Sequence, residues 1–113
     1  MGYYTWYALD HNCEDEDVFG SIVDKMEEIG IFEGGGFDAN KTQMCFDTMD
    51  LARWYEWEAD MREVSSAFPN VLFTLSGAGD DSGDLWKAYF VGGKMQYAPA
   101  QIVYDDFDSA RLR

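Results

Sequence analysis

The stretch from Asp50 to Leu75 constrains the fold most, because its hydrophobic period changes once and sharply. Leu51, Trp54, Glu58, Met61, Ser65 and Phe68 recur at spacings of three and four. With Val64 they trace a largely apolar stripe along a helix. Asp50 is the expected N-cap, Pro69 with Asn70 the stop, and Val71 to Leu75 the strand that follows. The opposite helix face carries Arg53, Glu56, Asp60 and Glu63 and is expected in water. A helix with one apolar stripe needs a sheet to lie on.

The rest of the chain supplies one. Tyr3 to Leu9 is rich in aromatic and β-favouring residues on both pleat faces, which predicts a central strand. The polar run Asp10 to Asp17 then opens a helix whose buried face is marked by Val18, Ile22, Met26 and Ile29, with Phe19 and Val23 beside it. Gly30 closes it. Ile31 to Asn40 reads as a short strand entering a mobile glycine loop, and Thr42 to Thr48 as a strand with one wetter face. After the turn-rich Ser76 to Asp84, Leu85 to Val91 and Lys94 to Tyr97 form a hairpin around Gly92-Gly93. Gln101 to Tyr104 adds a last edge strand, and Phe107 is expected to anchor the tail. This order predicts a single α+β domain over residues 1–113, with two helices packed on one face of a mainly antiparallel sheet, a ferredoxin-like variant. Trp54 is expected in the core and Trp57 at its border.

Charge narrows the functional classes. With 22 acidic against 8 basic residues in 113, the formal net charge is −14, while 47% hydrophobic and 17% aromatic residues exclude a disordered chain. Such acidity opposes binding to nucleic acid or anionic lipid and favours a basic partner. No apolar run approaches a membrane span and no signal-peptide pattern opens the chain, so a cytoplasmic protein is expected. Cys13 and Cys45 lack a paired-cysteine spacing and are expected as reduced thiols.

Motifs for chemistry are sparse. The triple glycine at 34–36 lacks the Gly-Lys-Ser/Thr of a phosphate loop. The turn holding Asp10, His11, Cys13 and Glu14 to Asp17 offers one histidine and one cysteine, too few for zinc, and reads as a helix-capping acidic turn. Asp80, Asp81 and Asp84 resemble a fragment of a calcium loop but lack its final bidentate ligand. No catalytic residue and no cofactor are assigned. The alternatives are a small metal-dependent enzyme using these carboxylates and a homodimer formed through an apolar sheet face.

Trp54-Tyr-Glu-Trp-Glu-Ala-Asp-Met-Arg-Glu63, Phe68-Pro-Asn-Val-Leu-Phe-Thr-Leu-Ser-Gly77 and Ser82-Gly-Asp-Leu-Trp-Lys-Ala-Tyr-Phe-Val-Gly-Gly-Lys-Met-Gln96 together resemble a stretch found in small uncharacterised proteins of phages and other mobile elements. The resemblance covers rather less than half the chain and implies no catalytic residue. In size and acidity the chain is also similar to anti-CRISPR and DNA-mimic inhibitors, a likeness of charge strategy without a shared motif. The expectation is an acidic inhibitor or adaptor binding a basic, nucleic-acid-handling host protein, with a CRISPR effector as the most concrete partner. The residues expected to meet it are Asp15, Glu16, Asp17, Glu56, Asp60, Glu63, Asp80, Asp81 and Asp84.

Overall fold

Alternation on the strands sorts the side chains into two faces and sets the architecture. The computed structural model describes residues 4–79, 85–100 and 103–113. In chain order the elements are β1 (Thr5–His11), α1 (Glu16–Ile29), α2 (Ile31–Gly35), β2 (Phe37–Asn40), β3 (Cys45–Thr48), α3 (Trp57–Ala67), β4 (Phe73–Gly79), β5 (Leu85–Val91) and β6 (Lys94–Pro99), followed by a single 3-10 turn, Ser109–Arg111. The chain is α+β, with a four-stranded antiparallel sheet ordered β1-β4-β5-β6 and a separate β2-β3 pair.

The register stacks the inner-face residues in rows across the sheet. Leu9 faces Leu75, which faces Ala88; His11 faces Phe73, which faces Phe90. These residues share one core with Phe19, Ile22, Val23 and Met26 of α1, Met61 and Val64 of α3, and Phe37 and Phe46 of the β2-β3 pair. Each large apolar side chain buried this fully contributes about 1.5–3 kcal/mol. The β5-β6 turn holds α3 in place: the Gly93 amide donates to Ser65 Oγ at 3.0 Å, and Arg62 donates to the Gly93 carbonyl at 3.1 Å. Gly92 and Gly93 both have positive φ, as a two-residue hairpin turn of this twist requires.

Several expectations need correction. β1 ends the hydrogen-bonded order and is not an interior strand. Its outer edge is closed by other means: Thr5 and Ala52 bridge, the Thr48 hydroxyl donates to the Tyr7 carbonyl at 2.7 Å, and β3 lies alongside. The second long helix begins at Trp57 with Glu56 as its cap residue, so Asp50 is not the N-cap. The Asp50 side chain accepts from the next amide, and Leu51 is exposed. The bridge to Thr5 holds this segment extended, and a helix could not make it.

Ile31–Gly35 is a helical turn and not a strand. Gly36 then takes φ +70, and its carbonyl accepts from the amides of Met49 and Asp50, so the glycines form a tied corner and not a loose loop. On α1 the fully buried residues are Phe19, Ile22, Val23 and Met26, with Val18 and Ile29 at the border. The strand expected at Val71 starts at Phe73 and continues through Gly79. Val103 and Tyr104 form no strand, and Phe107 is 80% exposed and anchors nothing in the core. Gln101 and Ile102 of that expected strand lie outside the described residues.

Gly77 explains why β4 runs into a glycine-rich segment. It stands opposite Trp86, and a Cβ added there would collide with the indole of that residue. Gly77→Ala is therefore expected to destabilise the fold by about 1–3 kcal/mol, an overpacking cost, measured as a lower urea midpoint. A neutral result would show that Trp86 has room to move.

Candidate functional site

Helix capping places the first carboxylates. Asp15 is the N-cap of α1, its Oδ1 accepting from the amides of Asp17 at 2.9 Å and Val18 at 3.2 Å, while Glu16 and Asp17 occupy the first turn. Acidic side chains suit this positive end of the helix dipole. Further along, Asp24, Glu27 and Glu28 stay exposed because Ile22, Val23 and Met26 face the core. On α3 the same partition buries Met61, Val64 and Ser65 and leaves Glu56, Glu58 and Glu63 in water.

The two helices meet at an ion pair, Lys25 Nζ to Glu63 at 3.2 Å. Arg62 pairs with Glu58 at 3.0 Å, one turn apart on α3. Both cations within α1 and α3 are thus engaged with carboxylates of the same surface, which leaves that surface strongly negative. As exposed pairs they contribute little to stability. Near the start of α1, Lys41 joins Glu16, Asp17 and Asp24 around a shallow concavity and interrupts the negative field there.

At the N-terminal end of α3 the acidic surface runs into an aromatic cleft of 390 Å³ lined by Thr5, Tyr7, Trp54, Tyr55, Trp57, Trp86 and Tyr97. Trp57 stacks on Trp86 with ring centres 4.6 Å apart, and Trp54 meets the Tyr7 ring edge-on at 5.4 Å. Trp54 is buried and Trp57 half-buried, as expected, while Tyr55 is 71% and Tyr97 49% exposed. Burial pushes the Tyr7 phenol above its ordinary value of 10.0. Hydrogen bonds to Thr5 and to the Trp54 carbonyl offset this in part, and Tyr55 adds to the rise.

The sulfur and imidazole groups are arranged for structure. The Cys13 amide donates to His11 Nδ1 at 3.0 Å, so that nitrogen is the acceptor; Nε2 therefore carries the proton it donates to the Met44 carbonyl at 2.7 Å. With both nitrogens engaged, the ring ties the end of β1 to the β2-β3 connection and is not set up as a base. Both cysteines are free. The Cys45 thiol is pushed up by desolvation and by the carboxylates of Asp47 and Asp10, which disfavours the nucleophilic thiolate. Among the described residues no three His, Cys, Asp or Glu side chains converge as metal ligands. No helix among them is long and apolar enough to cross a membrane.

The expected interface residues do not form one cluster. Glu56, Asp60 and Glu63 lie together on α3. Asp15, Glu16 and Asp17 lie at the N-terminal end of α1, about 12–15 Å along the helix from the Lys25 contact at 1.5 Å per residue. Asp24 and Glu28, exposed beside Lys25 on α1, belong to the same acidic helix but were not among the residues expected to meet a partner. The i+3 spacing of Glu28 from the one lysine of α1, and its i+4 spacing from Asp24, was the available signal. Asp60 serves the fold instead, because it accepts the Trp54 indole N–H at 2.8 Å and is only half-exposed. Asp80, Asp81 and Asp84 lie outside the described residues. Set against protein-family models, curated proteins and solved structures, the chain matches none of them.

Two outcomes separate structural from interfacial groups. Asp60→Ala is expected to cost about 1–3 kcal/mol, since it strands the buried indole N–H and removes a charged acceptor. Glu16→Gln should lower the denaturation midpoint much less, by no more than the roughly 0.3–1 kcal/mol that a first-turn carboxylate gains from the helix dipole. For Tyr7, a raised folded-state value means that its contribution is fully present below pH 10 and is lost as pH rises through the raised value. Tyr7→Phe should therefore flatten the alkaline limb of a stability-against-pH curve, read by denaturation at fixed pH steps.

Proposed function

We propose that the chain is an acidic inhibitor or adaptor that occupies the nucleic-acid-binding cleft of a basic host protein, an anti-CRISPR role being its most concrete form. One observation carries this reading: Asp24, Glu27 and Glu28 on α1 and Glu56, Glu58 and Glu63 on and beside α3 are all exposed, the two helices are linked by the Lys25–Glu63 pair, and their only cations, Lys25 and Arg62, are engaged in ion pairs. A negative surface of this kind attracts a cationic groove over a Debye length and raises the association rate. The aromatic cleft beside Glu56 supplies anchor rings at the rim of that field, the residue types that dominate interface energetics.

The finer fold reading supports the same surface. β3 lies alongside the outer edge of β1, where the Thr48 hydroxyl donates to the Tyr7 carbonyl, and this proximity favours reading the β2-β3 pair as a continuation of the four-stranded sheet beyond β1. On that reading, with α1 after β1 and α3 after β3, the proposed topology is the split βαβ arrangement of a ferredoxin-like variant, which would set the two helices in one layer over the sheet. A shared layer presents their outer faces side by side.

The protein immobilised on resin should retain a basic partner from host lysate at low salt and release it both with rising salt and with added duplex DNA or RNA. A triple reversal, Asp24→Lys with Glu28→Lys and Glu56→Lys, should slow association roughly tenfold or more while changing dissociation far less. Retention indifferent to salt, nucleic acid and the reversal would rule the proposal out.

A further inference from the structure

The face of the sheet turned away from the core is open and differs in kind from the helical surface. Across it runs a groove of 510 Å³ with Ala8, Ala78 and Ala98 at its floor and Trp6 and Leu85, 45% and 50% exposed, along it. Small residues in register make the channel: Trp6 faces Ala78 and then Leu85, and Ala8 faces Ser76, Lys87 and Ala98. Lys87 is the charged residue lining it, Lys94 follows on the same face, and among the described residues of these strands only Asp10 there is acidic. In a chain of net charge −14 this is the cationic, apolar side.

The C-terminal segment has the complementary character and no seat of its own. Val103, Tyr104, Phe107 and Leu112 are 68–84% exposed, interleaved with Asp105, Asp106 and Asp108. The segment is nevertheless ordered by its own contacts: Arg111 pairs with Asp105 at 2.8 Å, and Asp108 caps the final turn through the Ala110 amide at 3.0 Å. The molecule measures 56 × 36 × 27 Å with a radius of gyration of 16.7 Å, against about 13 Å for a compact chain of this length.

We propose that this groove receives the acidic aromatic tail, residues 103–108, of a second copy of the chain, and that the exchange is reciprocal in a two-fold dimer. Charge selects the occupant: Asp106 lies between the two rings that fill the groove, with Asp105 beside it held by Arg111, and meets the cationic side formed by Lys87 and Lys94. Direct face-to-face pairing of two sheets would instead set these lysines against their own copies. Geometry permits this, because Ala100 both lines the groove and precedes the tail, so two copies meeting across a two-fold axis that passes through this face would bring the start of each tail to the other copy's groove. Size agrees as well. Two aromatic rings per tail at about 150–250 Å² each, together with the groove surface that covers them, bring the interface to roughly 1,200–2,000 Å², that of a stable complex.

The test is sedimentation equilibrium of the full chain across protein concentration. A monomer–dimer equilibrium is expected. Phe107→Asp in the exposed tail and Leu85→Asp in the groove should each weaken it at least tenfold, with unchanged far-ultraviolet circular dichroism. Lys87→Glu should weaken it too, and adding Asp106→Lys to that variant should restore it. A monomer at every concentration would overturn the proposal, as would a tail folded into its own groove, seen as Trp6 shielding that ignores concentration. A dimer lost with Leu85→Asp but indifferent to Phe107→Asp would assign the face to sheet-on-sheet pairing and equally overturn it.

Discussion

The pairing of β1 with β4 is the contact on which the rest depends. It joins the first strand to one that follows the whole helical part of the chain, so α1, α2, β2, β3 and α3 are all enclosed in the loop it closes. Closing so long a loop costs configurational entropy, though the cost grows only slowly with length. The return is the inner face, where Tyr7 and Leu9 are brought against Gly77 and Leu75 and become a surface that the helices can cover. Without that pairing neither the apolar stripe of α1 nor that of α3 has anything broad to lie on.

A consequence of this layering is that charge and apolar surface are divided between the two sides. Among the described residues of the four-stranded sheet only Asp10 is acidic, so carboxylates concentrate on the helices, at Glu16, Asp17, Asp24, Glu27 and Glu28 of α1 and Glu58, Asp60 and Glu63 of α3. The few cations are distributed unevenly: Lys25 and Arg62 are engaged among the acids, while Lys87 and Lys94 stand on the open sheet. Self-repulsion of a net −14 chain opposes compaction, and the core rows of Phe73, Phe90, Leu75 and Leu9 must outweigh it.

Much of this was legible wherever local chemistry decides alone. Asp15 and Gly30 bound α1 as a side-chain cap and a left-handed terminus, and Gly92-Gly93 turns the hairpin; both are short-range effects. The Asp50 to Glu56 segment misleads because Trp54 and Met61 keep helical spacing across a stretch that a bridge to Thr5 holds extended. Spacing picks out the buried Trp54, Met61, Val64 and Ser65 together with the exposed Leu51 and Glu58, and it does not report which backbone buries a residue. Ile31 to Gly35 fails for a related reason, since glycines that weaken a helix in isolation are here tied through Gly36 to Met49 and Asp50. For the site, the pattern marks carboxylates but not their duties. Only coordinates distinguish Asp60, committed to an indole, from Glu56, which makes no capping bond, or from Glu63, which spans two helices.

The Trp57–Trp86 stack also gives the molecule an optical signature. Two indoles 4.6 Å apart and inclined by 27° are close enough for their electronic transitions to couple, one ring belonging to α3 and the other to β5. Their exciton couplet in circular dichroism exists only while that helix is seated on the sheet. The melt of that band thus follows the docking of a single element, separately from the backbone signal of the helices themselves.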